Sequence, residues 1–181
     1  NPHTKDRYVE SSGTEVVIEG QRKLYLHTDG TLSYSGGAAE DGSLFAVSAA
    51  DAAHISRAEL CAAARGLVGA LTQGRIGDAA LFLSGIESDD DGGATVFFDY
   101  MAGGTPIRFA DGSHAAEVRI EGQSITAFSL RLRRYTLTER DSLLLPLALS
   151  RAIAQRYPGC ELTVAYIDSY GDSVGASWIA D

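Results

Sequence analysis

Apolar and polar positions alternate with a period of two along many short stretches of this chain, and the period lengthens to a helical one twice. Val118 and Ile120 alternate with charged neighbours, Glu121-Gly122-Gln123 has turn chemistry, and Ile125 to Leu132 is apolar-rich, broken by Thr126, Ser129 and Arg131. The stretch from Val118 to Tyr135 therefore predicts a β-hairpin. Near the N-terminus, V-V-I-E-G-Q from Val16 to Gln21 matches V-R-I-E-G-Q from Val118 to Gln123 at all but one position. Val16 to Glu19, Lys23 to His27 and Thr31 to Ser35 read as strands around the turn signal Thr28-Asp29-Gly30. Leu44 to Val47 reads as one more short strand, whereas Asn1 to Thr14 carries no periodicity and reads as a loose lead-in.

The helical signals follow. Ser56-Arg57-Ala58-Glu59 has the spacing of a capping box, in which the serine hydroxyl accepts from the third amide and the glutamate reaches back to the cap amide. Leu60, Ala64, Leu67, Val68 and Leu71 then recur on one helical face up to Gly74, and the small residues Ala62, Ala63, Gly66 and Gly69 would let a neighbouring backbone approach. A second helix is expected from Pro146 through Leu147, Leu149 and Ile153 to Arg156, stopped by Pro158-Gly159. After the first helix, Ala79 to Leu83 and Thr95 to Met101 read as strands about the acidic turn Glu87 to Gly93. After the second, Leu162 to Ile167 and Val174 to Ile179 read as strands about Asp168 to Ser173.

Hairpin, helix, hairpin thus occurs twice, about a hundred residues apart. The expected fold is α+β: two pseudo-repeats of β-hairpin, helix and β-hairpin, with the helices packed on antiparallel sheet. The boundaries are a lead-in over 1–14, a first unit over 15–116 and a second over 117–181, standing apart or merged into one compact body. A chain of 181 residues is long enough for either.

Composition narrows the function. The net charge is −9, which argues against a phosphate-binding surface and so against nucleic acid as partner. Cys61 and Cys160 form no C-x-x-C pair, and no run approaches the roughly twenty apolar residues of a membrane helix. One constellation invites a metal: His27-Thr28-Asp29-Gly30-Thr31, a glycine-rich loop at Gly36-Gly37, then Arg57-Ala58-Glu59-Leu60 follow the motif order of ribonuclease H-like nucleases, where a strand aspartate and a helix glutamate hold divalent metal. Asp29 and Glu59 would be those ligands. Ser84 and Gly85 stand where the family has another aspartate, so the plainer reading makes Asp29 a turn residue and Glu59 half of a capping box. Asp89-Asp90-Asp91-Gly92 lacks the distant glutamate of an EF-hand, Asp168 to Asp172 reads as a hairpin turn, and His3, His27, His54 and His114 have no ligand spacing. Arg131, Arg133 and Arg134 form a basic strip in an acidic chain, a candidate docking surface for an acidic partner with a solvated sheet face as the alternative.

The second half resembles the C-terminal region of YycH/YycI-type proteins over roughly Phe97 to Ala180. The likeness lies in I-T-A-F-S-L-R-L-R-R-Y-T from Ile125 to Thr136, L-L-L-P ahead of the helix at Pro146, L-T-V-A-Y-I-D from Leu162 to Asp168 and a closing strand with Trp178. The two helix-and-hairpin halves also resemble PepSY-like modules. The resemblance implies a non-enzymatic extracytoplasmic regulator that acts by contact on the sensor kinase of a two-component system in Gram-positive bacteria. It further implies no catalytic residues, no cofactor and an N-terminal membrane anchor outside this sequence. The partner would be a membrane sensor or a paralogous regulator. The alternatives are the ribonuclease H-like nuclease using Asp29 and Glu59, and a peptide- or small-molecule-binding module.

Overall fold

The computed structural model describes residues 5–36, 45, 47, 55–89, 93–139 and 141–180. Among the described residues eleven strands form one mixed sheet, and two helices accompany it. The expectation of two α+β repeats with helices layered on the sheet is therefore corrected: strands from both halves interleave in a single sheet. Four strands open the chain: β1 (Lys5–Val9), β2 (Glu15–Glu19), β3 (Arg22–Leu26) and β4 (Thr31–Ser35). Helix α1 (Arg57–Thr72) leads to β5 (Ala79–Ser88), β6 (Ala94–Ala102), β7 (Thr105–Phe109), β8 (Ala116–Glu121) and β9 (Ser124–Arg131). Helix α2 (Leu147–Ala154) precedes β10 (Leu162–Asp168) and β11 (Gly175–Ala180).

The sheet runs β1-β2-β3-β4-β9-β8-β6 and then forks. β5 covers one side of β6 along its length. The other side is shared, Ala94 to Phe98 pairing with β8 and Tyr100 to Ala102 with β7. From β7 the branch continues through a parallel pairing with β10, which carries β11 antiparallel. Asp99 sits at the fork.

The V-x-I-E-G-Q likeness has a local cause. Gly20 and Gly122 each take positive φ, 62° and 56°, at the first central position of a two-residue turn, closing Glu19 on Arg22 and Glu121 on Ser124. Glycine at that position is the II′ hairpin signature, so the repeated letters encode the same turn. The hairpins themselves occupy different places, one in the outer meander and the other in the middle of the sheet.

Two strands were hidden in the sequence. Lys5–Val9, read as lead-in, pairs with β2, and its exposed charges meet Glu19 and Glu15 from Lys5 and Arg7. Thr105–Phe109, read as turn punctuation, is β7; Pro106 is tolerated because it precedes the residues that pair with β10.

α1 forms as its letters dictate. Ser56 accepts from the Glu59 amide at 3.3 Å while a Glu59 carboxylate oxygen accepts from the Ser56 amide at 2.9 Å, a reciprocal cap worth about 1 kcal/mol. Ala64 and Val68 bury against Val96, Phe98, Val118, Phe128 and Leu130 of the sheet. The small stripe stays open instead of receiving a backbone: nothing lies within 4 Å of where a Cβ at Gly66 or Gly69 would be. A second core beyond the fork gathers Tyr100, Ala102, Ile107, Phe109 and Tyr135.

Candidate functional site

The arginine strip turns inward at the end of β10. Arg133 lies just past β9, and its Nε and Nη2 reach the two carboxylate oxygens of Asp168 at 3.0 and 3.1 Å, while Nη2 also donates to the Gly171 carbonyl at 2.9 Å. Asp168 is fully buried, and its oxygens further accept from the Tyr135 hydroxyl and the Tyr170 amide, both at 2.7 Å. Each oxygen thus takes two donors, which is about all a carboxylate can accept. A buried carboxylate is tolerable on those terms: its charge is matched and its lone pairs are used. Burial opposes the charged form of Arg133, but the bonds and charge of Asp168 outweigh it and raise its pKa. Burial, then the Asp168 bond and charge, drive Tyr135 well above the ordinary phenol range.

Arg131 joins the adjoining turn. Its guanidinium donates to the Tyr170 hydroxyl, stands 3.5 Å from Asp111, and lies 5.5 Å from the ring centres of Phe109 and Tyr170, which stack on each other. Tyr170 donates to Asp111 at 2.7 Å and holds φ at +65°, a conformation a bulky residue adopts only where surrounding contacts impose it. Bonds from Ser113 and Tyr170 hold the Asp111 carboxyl well below the usual range. The Tyr100 hydroxyl donates to the Arg131 carbonyl at 2.7 Å and its pKa is pushed up to about 12, chiefly by burial. Of the three arginines, Arg134 alone is exposed. Tyr135 is held by the segment after α1: its carbonyl accepts from Asp78 and lies 2.1 Å from where a Cβ on Gly77 would sit, so only glycine fits there.

The two nuclease candidates stay apart in local roles. The Asp29 carboxylate accepts from the Thr31 amide at 2.8 Å, a bond that lowers its pKa, and Glu59 serves the capping box. Ser84 is the extra residue of a β-bulge in β5, between Leu83 and Gly85. Asp89 pairs with Arg119 at 3.1 Å; Asp90, Asp91 and Gly92 lie outside the described residues, as do His3, His54 and Gly37. Of the strand expected over Leu44 to Val47, Phe45 and Val47 are described, and they bond the backbone of Ile125 and Gln123. Among the described residues no three His, Cys, Asp or Glu side chains are grouped so as to hold a metal.

Asp99 was missed because strand alternation places it opposite Val96, Phe98 and Tyr100, on the face expected to be wet. It is 3 % exposed. Its carboxylate stands 3.0 Å from His114 Nδ1, 3.4 Å from Arg108 and 3.4 Å from the Ala115 amide, groups left beside the fork where β6 changes partner. Ser84 Oγ is 3.5 Å from the same His114 nitrogen. A serine–histidine–aspartate relay needs serine and aspartate on opposite ring nitrogens, so this trio ties the fork together and does not activate a nucleophile.

A hollow of about 160 Å³ lies between α1 and β5–β6 and another of about 90 Å³ beside Tyr135, Ser142 and Tyr166. Both are smaller than the usual ligand pocket of roughly 300 Å³ or more.

The surface around α2 differs from all of this. A surface helix ordinarily turns its apolar side to the core. In α2 the buried residue is Ser150, and Leu147, Leu149 and Ile153 are left half-exposed, each between 45 % and 49 %. With Leu143, Leu144, Leu145 and Tyr157 they form a run of large apolar side chains between 36 % and 100 % exposed. The segment is not loose: the Trp178 indole donates to the Leu145 carbonyl at 2.8 Å, and the Ala176 amide to Ser142 Oγ at 3.4 Å. Ser150 Oγ is buried with no hydrogen-bond partner. The sequence predicts a helix here, but which side meets the sheet is not written in the period. No helix among the described residues is long and apolar enough to cross a membrane. Comparison with protein-family models, curated proteins and solved structures finds no match to this chain.

Proposed function

We propose that this chain is a non-enzymatic regulatory domain that works by protein–protein contact, and that the leucine face around α2 is its contact surface. The observation that carries the reading is the exposure around α2: Ser150 is buried without a partner while Leu147, Leu149 and Ile153 are half-exposed and Leu143 and Leu145 more so. Contiguous exposed apolar side chains of this size mark interaction surfaces, because covering them removes area from water at about 25 cal/mol per Å². Arg131 and Arg133 contribute from behind, by anchoring β9 to the end of β10, the strand on which α2 packs. Arg134 is the arginine of the strip available to a partner.

The partner is a membrane sensor protein, and the site of action extracytoplasmic; both rest on the resemblance of Phe97 to Ala180 to YycH/YycI-type regulators. A photo-reactive residue at Leu149, tested in intact cells of the source organism, is expected to give one discrete adduct containing a membrane sensor, and the same probe at Lys23 none. No adduct from Leu149, or equal adducts from both positions, would sink the contact surface. A discrete adduct with a protein of another class would remove the sensor and keep the surface.

A further inference from the structure

The outer strands of the sheet differ in how they meet solvent. β1 is short and carries Lys5, Asp6 and Arg7, charges that discourage a further strand. β11 is bordered by the segment ahead of α2, through the bonds of Ala176 to Ser142 and of Trp178 to Leu145. β5 is 10 residues long, has Glu87 as its one charge and contains neither lysine nor proline. Among the described residues it pairs with β6 alone. The direction of its free groups follows from β6. Pro106 has no N–H to give, so Met101 opposite it turns its backbone groups away from β7 and toward β5, as does Asp99. Ala80 and Phe82 answer them, which leaves the N–H and C=O groups of Ala79, Leu81 and Leu83 pointing outward. The side chains of Leu81 and Leu83 lie on the α1 side of the sheet, where Leu83 is 46 % exposed although Phe98 opposite it is buried. Beside Leu81 the hollow of about 160 Å³ runs up to Gly69 of α1, where no side chain fills it.

We infer that a second copy of this chain occupies the edge, its β5 pairing antiparallel with this β5 about Leu81. The regular stretch of the strand is 79–83, between the turn at Gly77 and the bulge at Ser84, and Leu81 is its middle. A two-fold axis there sets Leu81 on Leu81 and, twice over, the large exposed Leu83 on the small Ala79. These side chains close the rim of the hollow. Glu87 is carried beyond the start of the second copy's strand, to the side where that chain turns at Arg75, so the two glutamates do not oppose each other. The bulge ends the pairing at Ser84 and the symmetry uses up both β5 edges, so the assembly closes as a dimer instead of running on as a fibre. A strand of another protein would meet the same backbone groups without the matched exchange of Leu83 for Ala79 that symmetry supplies. The surface is separate from the leucine face around α2, and the inference stands apart from that reading.

The test is the mass of the folded chain by light scattering from about 1 μM to about 1 mM, in about 0.15 M salt to screen the net charge of −9. A dimer that grows in with concentration is expected. Amide hydrogen exchange on either side of that transition should show Leu81 and Leu83 protected in the dimer and the β1 amides unchanged. Leu83→Lys should weaken the dimer at least about tenfold while keeping a cooperative melt, whereas Val9→Lys on β1 should leave it unaltered. A single-copy mass at every concentration overturns the inference and leaves the edge to a foreign strand. A dimer whose Leu81 and Leu83 amides stay unprotected overturns it too, placing the contact elsewhere on the surface. So does a dimer that Leu83→Lys leaves as tight as the parent's.

Discussion

β10 has two neighbourhoods that solve the same problem in opposite ways. At its C-terminal end a charged side chain, Asp168, is fully buried and every lone pair is engaged by Arg133, Tyr135 and Tyr170. Against it also packs α2, whose polar Ser150 is buried unpaired while its leucines are half-exposed. The first place is locally consistent and the second is not. Polar groups at Asp168 satisfy one another within this chain; the apolar groups around α2 are only half covered by it.

That contrast can be broken by mutation, beginning where the effect is largest. Asp168→Ala leaves Arg133 and the Tyr135 hydroxyl without their partner, and should cost about 3–5 kcal/mol in urea unfolding, the range for breaking a buried pair. A loss below about 1 kcal/mol would show the network to be dispensable. Next comes alkali. The folded-state pKa of Tyr100 is raised from 10.0 to about 12, so between those values the folded chain holds a proton the unfolded chain has released. Stability is then full below pH 10 and falls as pH rises toward 12, by roughly 3 kcal/mol. Tyr100→Phe should flatten that decline, and an equally steep fall in the variant would assign it elsewhere.

The α2 neighbourhood should respond weakly or with the opposite sign. Ser150→Ala removes an unpaired buried hydroxyl and is expected to stabilise by about 0.5–1 kcal/mol, where most buried substitutions destabilise. Destabilisation would mean that the hydroxyl has a partner in solution. Leu147→Ser and Ile153→Ser should each cost about 1 kcal/mol or less in thermal unfolding while weakening the Leu149 cross-link. A cost of several kcal/mol would mean that these side chains support the fold.

How much could be read in advance depended on how local each signal was. The capping box at Ser56 and Glu59, the II′ turns at Gly20 and Gly122 and the hairpin from Val118 to Tyr135 are written within a few residues of themselves. β1 was hidden because K-D-R-Y-V carries charges on both faces of an edge strand, and β7 because of Pro106. Arg131 and Arg133 stood out as unusual letters, but their partners lie at Asp111, Asp168 and Tyr170, well removed along the chain.

By itself, then, the sequence determined the two helices, the hairpin turns and the strands other than β1 and β7, because propensity, capping and glycine at positive φ act over one or two turns of chain. Tertiary structure alone decided the rest: the fork that buries Asp99, the parallel pairing of β7 with β10, the inward turn of Arg133 and the burial of Ser150 in α2. Those outcomes are set by which distant surfaces meet. A residue's period says that it has a side, and only packing says what lies on it.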